Sequence, residues 1–228
     1  NANGNDKLDI ECNRFLKKGN NFFVKYYNEQ LINKFSFSFL FGIWLDIKKS
    51  DVVYIQYLFH YTVLLSLLCS VIQKKKIIIC PRGSFSVFTL SNKFAFLKSF
   101  WLSLFIKPFV GDIIWQASSY LEKKDILNRF PSATVETIND GVDFNSFQNE
   151  VVTSRVELLN EFTNCNFKEV SHVFFSMGRL HKIKGFDVLI NAFSLFLEKN
   201  KNAKLIIAGG DDGSGIQLKS QIKKLNLS

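Results

Sequence analysis

A chain of 228 residues that is 47% hydrophobic and 15% aromatic, with 25 Phe, 12 Gly and 3 Pro, is neither a disordered nor a fibrous composition. It is long enough for one large domain or two small ones. The 29 Lys and Arg against 20 Asp and Glu give a net charge of +9, which suits solvated helix ends, an anionic membrane surface or a polyanionic substrate. No zinc spacing, aromatic–basic repeat or helix-turn-helix pattern points to nucleic acid.

The opening residues, NANGNDKLDI, are polar and have no apolar core of the kind a signal peptide needs. From Asp51 onward strands and helices alternate. Asp51–Gln56, DVVYIQ, is β-branched and predicts a buried strand, and the apolar run Tyr61–Gln73 predicts a helix. Lys76–Cys80, KIIIC, is a second strand, stopped by Pro81. Asn92–Lys107 predicts one long helix, lying in or near a core or flat on a membrane, with its Phe and Trp beside Lys. Asp112–Ala117 is a third strand. Ser118–Arg129 is a helix that Ser118 or Ser119 can cap, with Glu122 in its first turn. Thr134–Ile138 is a fourth strand, ended by the turn Asn139-Asp140-Gly141.

Residues 143–168 are polar and weakly periodic, so a linker is expected there, with domains over 1–150 and 151–228. The alternation then restarts: strand Val173–Met177, helix Phe186–Lys199, strand Lys204–Ala208, loop Gly209–Gly215 and helix Ile216–Leu225. Such alternation predicts an α/β fold with parallel sheets covered on both faces. The apolar run Tyr57–Ile72 is shorter than the ~20 residues a spanning helix needs. Cys12, Cys69, Cys80 and Cys165 form no C-x-x-C pair and read as reduced core residues of a cytosolic protein.

In open α/β sheets ligands bind beyond the carboxyl ends of the strands. After Val173–Met177 comes SMGRLHKIKG, with Arg179 and Lys184 between a strand and a helix and Gly178 and Gly185 permitting tight turns. An arginine fork, a lysine charge and a helix N-terminus together suit a diphosphate; a basic exposed loop is the plainer alternative. The sequence fits neither a Walker loop nor G-x-G-x-x-G. Gly209, Gly210 and the acidic residues after them either line a nucleotide site or make a βα turn. Arg82 lies between Pro81 and Gly83, where it is either a cleft residue or an ordinary loop arginine. Tyr57, Phe59 and His60 follow the first strand, and His60 is either a general base or substrate contact or a satisfied, partly buried histidine. Ser118 and Ser119 follow the third strand, where a cap role explains them. No Ser-His-Asp order, paired-carboxylate motif or HExxH assembles.

MGRLHKIKGFDVLINAF followed by AKLIIAG resembles the second-domain signature of family 4 retaining glycosyltransferases, the group-1 glycosyltransferases of GT-B fold. DVVYIQYLF, PRGSFS, QASSYLEKKDI and INDGVD fall in the order of that family's first-domain markers, as in a subgroup carrying P-R-G. The resemblance implies two Rossmann-like domains facing a cleft, the second incomplete here. Arg179 and Lys184 would grip the donor diphosphate, with Gly178, Gly209 and Gly210 near the nucleotide. Arg82 would stand where many relatives carry a histidine near the sugar. Tyr57, His60, Gly83 and Ser118 would lie on the acceptor side. Asp140 stands at the asparagine of the usual P-N-G-V-D, a departure of little consequence if the turn alone matters.

The implied activity is transfer of a sugar, of the hexosyltransferase type, from a nucleotide-diphosphate sugar to a glycan or lipid-linked acceptor. It would serve cell-surface polysaccharide synthesis, in the cytoplasm or peripherally at an anionic membrane. No cofactor and no metal are implied, because Arg179 and Lys184 supply the positive charge. The family's paired glutamates would fall beyond Ser228 and its first strand before Asn1, so the chain is expected to be a fragment inactive alone. The alternatives are a noncatalytic nucleotide-sugar-binding or membrane-associated partner subunit and, more remotely, a phosphorylase or sugar-nucleotide epimerase.

Overall fold

The structure, a computed structural model, describes residues 2–3, 6–7, 9–29, 35–91, 94–144, 157 and 170–227. They belong to two compact units, residues 1–142 and 143–228.

The first unit opens with two small antiparallel pairs, β1 (Ala2–Asn3) with β2 (Asp6–Lys7) and β3 (Phe15–Lys17) with β4 (Phe23–Lys25). Helix α1 (Phe37–Lys48) follows, capped by Ser36, whose side chain accepts from the Phe39 N–H. Lys25 reaches α1, with Nζ 2.8 Å from a carboxylate oxygen of Asp46.

The parallel sheet is built from β5 (Val52–Gln56), β6 (Lys76–Cys80), β7 (Ile113–Ala117) and β8 (Thr134–Thr137), in the order β5-β6-β7-β8. Helix α2 (Tyr61–Ile72) connects the first two strands and α5 (Tyr120–Arg129) the last two. The sequence predicts each of these within two residues. β-Branched strand residues fill the core, where Ile77, Ile79, Ile113 and Trp115 pack with Leu67 and Ile126.

The single helix expected over Asn92–Lys107 is instead a broken series. Helix α3 (Val87–Ser91) precedes α4 (Ala95–Trp101), which runs into a π-turn at Leu102–Ile106 and a 3₁₀ segment at Lys107–Asp112. Phe94 has a left-handed φ of 66°, so α4 starts only at Ala95; Asn92 lies outside the described residues. At the other end Pro108 offers no N–H, which loosens the hydrogen-bond ladder into wider and tighter turns. Leu102 and Ile106 are nonetheless fully buried, so the irregular segment still closes the core.

The cysteine expectation holds only for buried Cys80. Cys12 and Cys69 are half-buried, all three thiols are free, and Cys165 lies outside the described residues. Among the described residues no helix is long and apolar enough to cross a membrane.

Among its described residues the second unit contains two βα pairs. β9 (His172–Met177) and β10 (Ala203–Ala208) are parallel neighbours, paired from His172 opposite Ala203 to Met177 opposite Ala208. Helix α6 (Phe186–Lys199) and helix α7 (Gly215–Lys224) follow them. Phe186 and Ile190, one turn apart on α6, pack against Leu218 of α7 and Leu205 and Ile207 of β10. The Gln221 amide locks the helices together, donating at 2.8 Å both to the Asp187 carbonyl and to Asn191 Oδ1.

Candidate functional site

In the second unit the turns after β9 and β10 are hydrogen-bonded to each other. The Gly178 N–H donates to the Ala208 carbonyl at 2.9 Å and the Leu180 N–H to the Gly210 carbonyl at 2.8 Å. The N–H groups of Asp212 and Ser214 both donate back to the Leu180 carbonyl, at 3.3 and 3.0 Å. The approach is so close that a Cβ on Gly209 would lie 1.9 Å from the Gly178 carbonyl oxygen. Only glycine fits there.

This frame sets the two cations. Arg179 leaves the end of β9 and donates from Nη1 to Asp212 Oδ2 at 2.7 Å, with its side chain 72% exposed. Lys184 ends a short 3₁₀ turn, Lys182–Lys184, and its stem runs along Gly178: a Cβ built there would sit 3.7 Å from Lys184 Cδ. Gly185, at φ 66°, then opens α6 with no side-chain cap, leaving the positive end of the helix at this strand end. Gly178, Arg179 and Lys184 are thus brought together within one unit.

The acidic loop is built as a turn. Asp211 Oδ1 accepts from the N–H groups of Gly213, Ser214 and Gly215, at 3.0, 3.1 and 2.8 Å, and so caps α7. The bond from Gly215 is the largest cause holding its carboxyl below the usual carboxylate range. Asp212 is spent on Arg179, while Gly210 faces open space.

In the first unit the carboxyl ends of the four strands form a second cluster. Tyr57 turns away from β5 at φ 65°, its N–H donating to the Cys80 carbonyl at 3.0 Å. His60 caps α2, with Nδ1 2.8 Å from Thr62 Oγ1. That is a structural reason for a histidine which the sequence left open. Arg82 and Gly83 both have positive φ, 51° and 74°. The Arg82 guanidinium donates from Nη1 to both carboxylate oxygens of Asp140. Asp140, at a position whose departure from asparagine promised little, therefore has an ionic partner. Tyr57, Phe59, His60, Arg82, Gly83, Ser84 and Thr89 line an open cavity of about 440 Å³.

Ser119, of the two serines offered as caps, takes the role, accepting from the Glu122 N–H at 3.2 Å. Ser118 donates its N–H and its hydroxyl to Glu122 Oε2, both at 2.7 Å. Glu122 Oε1 accepts from the Gly83 N–H at 2.7 Å. Sequence reasoning assigned no such role to Glu122, Asp140, Asp211 or Asp212. A first-turn acid was visible at Glu122, but one of its two partners, Gly83, lies 39 residues away.

Residues 160–228 match the family described as Glycosyl transferases group 1. Among solved structures the chain is similar to Anabaena Alr3699/HepE in complex with UDP and glucose, with a TM-score of 0.63 at 16% identity over 90% of this chain and 53% of that one. It is also similar to a glycosyltransferase from Rickettsia africae ESF-5, with a TM-score of 0.58 at 16% identity over 90% of this chain and 52% of that one. For the sucrose-phosphate synthase of Thermosynechococcus elongatus the TM-score is 0.55 at 15% identity, over 84% of this chain and 47% of that one. The chain spans about half the length of these structures. The likeness establishes the fold: α/β, with parallel sheets in Rossmann-like units as in GT-B glycosyltransferases. No curated protein matches the chain.

Proposed function

We propose that the protein transfers a sugar, with retention, from a nucleotide-diphosphate sugar to a glycan or lipid-linked acceptor. The observation that carries this reading is the convergence of Arg179, Lys184 and the uncapped start of α6 on the carboxyl end of β9. It falls inside the segment that matches the glycosyltransferase family.

As the bond between the anomeric carbon and the diphosphate oxygen breaks, the electron pair stays on that oxygen, while an acceptor hydroxyl oxygen bonds the anomeric carbon and gives its proton to the departing diphosphate. Arg179 bonds the phosphate oxygens as a fork, Lys184 adds a point charge, and the N–H groups of α6 complete the cradle. These groups supply positive charge without a metal or other cofactor. Gly210 lets the nucleotide approach the backbone, and Gly178 and Gly209 bring together the two turns that border it. In the first unit Arg82 faces the sugar, and Tyr57, His60, Gly83 and Ser118 border the acceptor. Exposed Phe96 and Phe100, with the net charge of +9, suit an anionic membrane surface carrying a lipid-linked acceptor for polysaccharide synthesis at the cytoplasmic face.

Titration calorimetry with UDP-glucose tests the donor site. Arg179→Ala and Lys184→Ala are each expected to weaken binding about tenfold or more, as befits loss of a charge-assisted hydrogen bond. Wild-type affinity in both variants overturns the reading.

A further inference from the structure

We infer that Glu122 is a positioning residue that holds Arg82 in place, an inference resting on the reading of Arg82 as the residue facing the sugar. Glu122 sits in the first turn of α5 and is only 7% exposed. Its two oxygens point at different strand ends. Oε1 accepts from the Gly83 N–H, after β6, and Oε2 from the Ser118 N–H and hydroxyl, after β7, all at 2.7 Å.

The bond to Gly83 fixes the peptide plane immediately following Arg82. Arg82 needs such a restraint, because φ 51° is left-handed and disfavours a residue with a Cβ. In that conformation the guanidinium reaches past β7 to Asp140, after β8. One buried carboxylate and one arginine therefore stitch together three consecutive strand ends. The carboxylate is fully engaged with backbone and serine donors, so it acts on geometry and not as an acid or base.

The chemistry selects glutamate. Each oxygen faces a backbone N–H, so a glutamine amide would set a donor against a donor on one side or the other. Aspartate, one methylene shorter, cannot span both loops. The negative charge also favours its place in the first turn of a helix.

Nitrogen-15 NMR of arginine side chains provides the test. The pair with Asp140, in which Nη1 donates to both carboxylate oxygens, is expected to slow exchange at Arg82 and give a resolved guanidinium signal, assigned by its loss in Arg82→Lys. Glu122→Gln is expected to abolish that signal, and so is Asp140→Asn. Ser119→Ala removes the α5 cap, the bond from the Glu122 N–H, but leaves the bonds of the Glu122 carboxylate to Gly83 and Ser118 in place, and it is expected to keep the signal. If Glu122→Gln does not fold, Glu122→Asp takes its place with the same expectation. Retention of the signal in the Glu122 variant, its absence in wild type, or its equal loss in Ser119→Ala overturns the inference. No donor is present, so the outcome is independent of the UDP-glucose titrations, which decide the donor-site reading separately.

Discussion

Asp212 and Arg179 are 33 residues apart in sequence and 2.7 Å apart in space. In the second unit the carboxylate therefore occupies the arginine that a diphosphate would need. An incoming anion competes with Asp212, and the pair is exposed, so the competition is weak: such pairs contribute roughly 0.2–1 kcal/mol. Asp212→Asn is expected to tighten pyrophosphate binding by about two- to fivefold in low-salt calorimetry. Unchanged or weaker binding would assign Asp212 an orienting role instead. That two cations stand between a strand and a helix was legible in sequence, where an anion cradle and a basic exposed loop fit the same residues. Their acidic partners were not. Asp140 and Asp212 meet their arginines only through the side-by-side order of strands, which local spacing does not encode.

At the level of elements, β-branched or aromatic apolar runs bounded by proline, glycine or polar turns marked the strands of both parallel sheets. The same approach failed at Asn92–Lys107. Apolar spacing there is satisfied equally by an α-helix and by the mixed turns that bury Leu102 and Ile106. Helix α7 carries a pH-sensitive cap. The folded carboxyl of Asp211 is held low, chiefly by the Gly215 N–H, so its contribution to stability is complete above the ordinary carboxylate range. That contribution is lost as pH falls through the depressed folded value. Asp211→Asn keeps an oxygen acceptor but no charge. In thermal unfolding across the acid range its stability is expected to depend less on pH than that of wild type; parallel profiles would exclude the cap as the cause.

At the scale of the molecule, a net charge of +9 coexists with exposed apolar residues on α3 and α4, among them Val87, Phe96 and Phe100. Basic charge draws a protein toward an anionic surface, and exposed aromatics insert at the headgroup boundary. Cosedimentation is expected with vesicles containing phosphatidylserine but not with pure phosphatidylcholine, weakening as added salt shortens the ~8 Å physiological Debye length. The double variant Phe96→Ser, Phe100→Ser is expected to reduce it. Equal binding to neutral vesicles would remove the electrostatic part of this account. The charge was plain in the sequence, whereas the apolar patch was not, since a Phe-rich helix reads equally well as core.

The closeness of Gly178 and Gly209 also bears on how the turn after β10 can diversify. Any side chain at 209 collides with a carbonyl, so drift and saturation libraries alike are closed at that position. At Gly210 a Cβ meets nothing within 4 Å, and the residue has no left-handed φ. Of two adjacent glycines that look equivalent in the sequence, one is a fixed joint and the other is free to vary, and a search for altered ligand preference belongs at the second.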